Sequence, residues 1–68
     1  MAVITFISKG KKMYFGGYSD EDGEPIFVKS KSKALKRQGG FFVQAEIDQL
    51  KFYFKEKYPE LENAESEE

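Results

Sequence analysis

Sixty-eight residues contain neither cysteine nor histidine, and this double absence constrains the fold more than any motif present. Domains below about 70–80 residues rarely draw more than roughly 3–5 kcal/mol from a core alone, and natural ones add disulfides, a structural metal or a partner. Disulfides and Cys/His zinc sites are closed to this chain, as are Ser–His–Asp and Cys–His catalytic arrangements. What remains is bulk: seven Phe and four Tyr, each able to bury about 150–250 Å². The sequence predicts one small domain with an aromatic core, and its length excludes a second.

The apolar pattern changes period along the chain. Ala2–Ser8 (AVITFIS) is rich in β-branched and aromatic residues and reads as a strand, with Ile4 and Phe6 on one face and Val3, Thr5 and Ile7 on the other. A turn at Lys9–Lys12 leads to a second strand, Met13–Tyr18, whose Gly16-Gly17 pair predicts a bulge or a close backbone approach. The polar Ser19–Pro25 segment carries an Asp-Gly turn signal, and Ile26–Lys29 returns as a third strand. Lys29–Gly40 is open between a strand end, one helical turn and a loop, and Gly39-Gly40 closes it. From Phe41 the spacing becomes helical: Val43, Ile47, Leu50 and Phe54 fall four, three and four apart. Pro59 disfavours helix at Tyr58, so the helix is expected to end near Lys57 or Tyr58. Its start carries no Ser, Thr, Asp or Asn cap.

The predicted fold class is α+β: a three-stranded antiparallel β-meander packed by one C-terminal amphipathic α-helix, with a disordered acidic tail. Residues 1–58 form the domain, and residues 59–68, with five acids after Pro59 and no base, form a flexible tail. The helix stripe is expected against the sheet face that shows Ile4, Phe6 and Ile26 or Phe27.

Net charge is −1, but the signs segregate. Residues 1–40 hold eight basic against four acidic groups, and residues 41–68 hold three basic against eight acidic, an imbalance of the kind that marks a charged partner or an acidic tail. No leader pattern and no run of about 18 apolar residues is present, so the expectation is a cytoplasmic protein without a membrane span.

Catalytic and ligand motifs do not emerge. Aligning Gly23 with the sixth position of a calcium loop puts Tyr18 and Lys29 where the first and twelfth ligands belong, so Asp20-Glu21-Asp22 reads as an acidic turn. The glycine pairs match neither phosphate-loop pattern. Five serines lack a histidine base, and the acids lie apart in a turn, a helix and a tail. The expectation is a non-enzymatic chain with no metal, no cofactor and no small-molecule substrate.

Two surfaces are candidates for binding. Phe52 falls almost opposite the helix stripe, with Phe41 on the same side and Tyr53 and Phe42 on the flank. Large rings outside a core stripe point to a contact with another protein or with a second copy, through Phe41, Phe52 and Tyr53. The second candidate is basic. If Lys29–Lys33 is extended, Lys29, Lys31 and Lys33 project together. Lys36 and Arg37 enlarge that patch, and Tyr14 and Tyr18 on the sheet would supply stacking rings for single-stranded nucleic acid. The acidic tail is an alternative cover for the same lysines.

The run MYFGGYSDEDGEPIFVKSKSKALK, followed by an amphipathic helix, resembles small bacteriophage or prophage accessory proteins, over roughly residues 2–58. Their pattern is a strand, a Tyr/Phe-Gly-Gly-Tyr hairpin strand, an acidic Asp-Gly turn, then IF-V-K-S-K-S-K-A and a helix. Gly39-Gly40-Phe41-Phe42 departs from the more usual polar helix start. The resemblance implies a cytoplasmic protein of the host cell that binds a host or phage protein, or that self-associates as an assembly component. It carries over no site residues.

Overall fold

The computed structural model describes residues 1–38 and 40–68. Four strands, β1 (Val3–Ser8), β2 (Lys11–Tyr18), β3 (Pro25–Val28) and β4 (Glu65–Glu67), form one antiparallel sheet in the order β3-β2-β1-β4, with helix α1 (Phe41–Phe54) across one face. The α+β class, the antiparallel sheet and the single α-helix are as the sequence predicts. The strand count is corrected from three to four.

The first three strands form the predicted meander. Thr5 lies opposite Tyr14 and Phe6 opposite Met13 in the β1–β2 ladder, while Phe15 faces Phe27 in the β2–β3 ladder. Beyond that pair Tyr18 meets Pro25, so β2 carries one extra residue between Phe15 and Tyr18. The bulge occupies the expected Gly16-Gly17 pair, and Gly17 takes φ +109°, a backbone region that side chains disfavour. The insertion turns Tyr18 back to the face of Phe15, and their rings meet edge-on at 5.1 Å.

Alternation delivers the core. Ile4 and Phe6 of β1 and Phe15 of β2 pack with Val43, Ile47 and Leu50 of α1, and Phe27 packs against the cluster. Ile26, the other residue considered for that face, is exposed. The opposite face buries Val3, Tyr14 and Ala34, with Thr5 donating from its hydroxyl to the Met13 carbonyl at 2.9 Å. Ala34 arrives through the segment after β3, which makes a 3-10 turn at Lys31–Lys33 and then runs extended. Leu35 N–H donates to the Phe15 carbonyl at 3.0 Å, and Arg37 exchanges two backbone hydrogen bonds with Ala2. One helical turn, expected around Ala34–Arg37, forms instead at Lys31–Lys33, and residues 34–37 run extended against Phe15 of β2 and Ala2 just before β1.

Of the Gly39-Gly40 pair, Gly39 lies outside the described residues. Gly40 has φ +62° and caps α1 with backbone alone, as the absent Ser, Thr, Asp or Asn cap requires. Regular helix stops at Phe54, earlier than expected, although Tyr58 N–H still donates to the Phe54 carbonyl at 2.8 Å. Tyr58 then leaves the helical region (φ −129°, ψ 77°), which a residue preceding proline disfavours.

The largest correction concerns the segment expected as a flexible acidic tail. Pro59–Asn63 forms a 3-10 turn that places Leu61 in the core, and Ala64 joins it. Asn63 accepts from Ile7 N–H at 2.8 Å and donates to the Ile7 carbonyl at 3.2 Å, so its amide imitates a strand neighbour for β1. β4 continues that pairing, Val3 opposite Glu67 and Thr5 opposite Glu65. Leu61 and Ala64, three positions apart, supply an apolar foothold that the high acid density of the segment obscures. Among the described residues no helix is long and apolar enough to cross a membrane.

Candidate functional site

The outward face of α1 is the most unusual surface of the molecule. Burying Val43, Ile47 and Leu50 fixes the helix rotation, and at about 100° per residue that rotation turns positions 41, 45, 48 and 52 away from the sheet, with 42, 49 and 53 beside them. Phe41 and Phe52 are each 80% exposed, and Phe42 and Tyr53 each 66%. Each neighbouring pair meets edge-on, Phe41 with Phe42 at 6.0 Å and Phe52 with Tyr53 at 4.9 Å. Phe41, Phe52 and Tyr53 are the contact residues expected from sequence. Phe42 completes the second pair, and its signal is the repeat of an aromatic doublet eleven positions apart. Arg37, from the segment after β3, reaches only the helix flank, at Glu46, and leaves the four rings open.

Beside the rings runs a shallow groove of about 450 Å³, walled by Lys36, Arg37 and Gln38 on one side and Phe42, Ala45, Glu46 and Gln49 on the other. Arg37 donates to the Glu46 carboxylate from both Nε (3.2 Å) and Nη2 (2.7 Å), tying the wall to the helix. A second hollow, lined by Tyr18, Gly23, Gln49, Tyr53 and Phe54, continues along the same flank through Gln49.

The basic candidates are arranged differently from the sequence expectation. Lys29, Lys31, Lys33, Lys36 and Arg37 are all exposed, but the 3-10 turn at 31–33 prevents Lys29, Lys31 and Lys33 from projecting as alternate residues of one strand. Arg37 is held by Glu46, and Lys36 donates to the Ser32 carbonyl at 3.1 Å. The two stacking rings are also engaged. Tyr14 is buried against Val3 and Ala34, and the Tyr18 ring sits between Phe15 and Phe54 with its hydroxyl buried and unbonded among the described residues. Burial pushes the Tyr18 hydroxyl above its ordinary value of 10.0, with Glu46 adding to the rise and Arg37 opposing it.

The acidic segment lies over part of this patch, the alternative the sequence left open. Lys12 hydrogen-bonds the Glu67 carboxylate, and Lys31 reaches its other oxygen at 3.4 Å. The bond from Lys12 holds Glu67 below its ordinary value of 4.5, against a push upward from lost hydration and with further help from Lys31. A carboxylate depressed on folding contributes stability that is complete above its unfolded value and disappears as pH falls through the lowered one. Glu67→Gln should therefore flatten the decline of the urea midpoint below about pH 4.5, and less so in high salt, because the pair is exposed. Parallel curves for the two proteins would show that β4 is held without this pair.

The Asp20-Glu21-Asp22 segment is a hydrogen-bonded turn. Gly23 N–H donates to the Ser19 carbonyl at 3.0 Å and Glu24 N–H to Asp22 Oδ1 at 3.0 Å. Its three acids are exposed, and among the described residues no three acidic side chains converge as metal ligands. Comparison of the chain with protein-family models, with curated proteins and with solved structures finds no match.

Proposed function

We propose that this chain is a non-enzymatic protein-interaction module that presents the outer face of α1 to another protein surface, in the manner of the phage accessory proteins it resembles. One observation carries the reading: four large rings stand open to water on a single helix of a 68-residue chain. Scattered exposed apolar residues are ordinary, but aromatic side chains gathered on one face mark contact surfaces, and Phe and Tyr are enriched at interface cores. The adjoining polar groove offers the rim that such surfaces carry.

Single-strand nucleic-acid binding through the 29–37 stretch is less well supported, because it needs open rings and Tyr14 is only 9% exposed. The two readings separate by salt. Ring-mediated capture of a protein should change little with ionic strength, whereas nucleic-acid affinity falls steeply as phosphates are neutralised. The decisive comparison is capture of host-cell proteins by wild type and by Phe52→Asp, with circular dichroism verifying the fold. Loss of a salt-insensitive partner is expected from the variant. An unchanged captured set together with self-association that also ignores Phe52, or a salt-sensitive band shift with single-stranded DNA, would overturn the proposal.

A further inference from the structure

The arrangement of the rings points to what covers them. Phe41 and Phe42 recur as Phe52 and Tyr53 eleven positions later. Eleven residues advance a helix by about 16 Å and return within about 20° of the starting direction. The two ring pairs thus face the same way at opposite ends of α1, and between them lie Ala45, Asp48 and Gln49, all exposed. A surface with like groups at both ends and a low middle fits itself when turned end over end. Two-fold interfaces require this, since residue i of one copy meets j of the other and j meets i.

We infer that the occupant of this face is a second copy of the chain, its α1 packed antiparallel across the first; the inference rests on the interaction-surface reading above. With the two-fold axis at the level between Glu46 and Ile47, Phe41 of each copy lies beside Phe52 of the other. Ala45 then sits at the crossing, where a small side chain lets the helices approach. Full cover of the four rings at the exposures found would bury on the order of 600 Å² per copy and about 1,200 Å² for the pair, the lower edge of the range for stable interfaces. Orientation follows from charge. A parallel pair would seat Asp48 directly on its own copy and set the helix dipoles side by side in the same sense. The antiparallel pair opposes the dipoles and offsets the two carboxylates, though both remain near the axis, so Asp48→Asn should tighten the dimer.

Sedimentation of the pure protein over a concentration series tests this, and a reversible monomer–dimer equilibrium is expected. Phe52→Asp should weaken it about 30-fold or more, as loss of an interface hot spot does. Ala45→Arg, which keeps every ring and blocks the crossing, should do the same, so the test survives if one variant fails to fold. Because the chain has no cysteine, single-cysteine variants report the geometry. Ala45→Cys should bridge across the axis on mild oxidation. Phe41→Cys should not, because its two copies stand about 16 Å apart along the pair, beyond the reach of a disulfide.

Bridging at position 41 in preference to 45, or a dimer indifferent to both Phe52→Asp and Ala45→Arg, overturns the inference. So does a wild type that stays monomeric up to about 1 mM, the weak end of specific affinity. A monomer that still captures another protein through Phe52 defeats self-pairing alone; one whose capture ignores Phe52 defeats the interaction surface as well.

Discussion

Deleting residues 59–68 should leave a chain with no cooperative unfolding transition. The deletion removes Leu61, which is fully buried, and Ala64 from the core. It also strips β4 and the Asn63 amide from the edge of β1. Much of the effect should be reproduced by Leu61→Ala alone. Truncating a buried leucine costs about 2–5 kcal/mol, against the roughly 3–5 kcal/mol that a core of this size supplies. Thermal melting followed by far-ultraviolet circular dichroism measures both. A truncated chain that melts at the wild-type temperature would mean that the last ten residues are ornamental and that β1 tolerates a bare edge.

The second large effect is a contrast between two phenylalanines. Phe15 is 1% exposed, facing Phe27 across the ladder and meeting the Tyr18 ring. Phe15→Ala should cost about 3–5 kcal/mol, enough to leave the protein largely unfolded at room temperature. Phe52→Ala removes the same ring from a position where it touches mainly its neighbour Tyr53, and should change stability by no more than about 0.5 kcal/mol. Urea titration of both variants decides the matter. Comparable losses would show that Phe52 is part of the core and would remove the basis for reading α1 as a contact surface.

Only one side of this contrast is legible in the sequence. Phe52 falls opposite a stripe of four apolar residues at helical spacing, whereas the Gly16-Gly17 pair leaves the face of Phe15 open, and packing with α1 turns it inward. The bulge was equally readable, since two adjacent glycines in a strand leave few other roles. Segments that owe their structure to distant partners were not readable. Leu35 and Arg37 run extended because the Phe15 and Ala2 backbones hydrogen-bond them, and nothing local among those lysines marks it. Composition misleads most at Glu60–Glu68, where net charge argues for disorder. Two apolar residues, one asparagine and three lysines from elsewhere overcome that charge, and none of the long-range partners lies within the segment. At the candidate site, Phe41, Phe52 and Tyr53 were legible as outward rings. The buried state of Tyr14 was not, because the cover over it comes from Ala34.

The adjacency of β1 and β4 sets the order in which the molecule can be completed during synthesis. β1 obtains its second neighbour only from β4, with Asn63 and Ile7 fifty-six positions apart. Until that late segment emerges, the nascent chain exposes one unpaired strand edge and the apolar bed that Leu61 will fill. Closure of so long a loop makes folding slower than in a local hairpin-and-helix design. A chain that has made β1 to α1 but not yet β4 therefore holds its hairpins and helix without the contact that closes the sheet on that side.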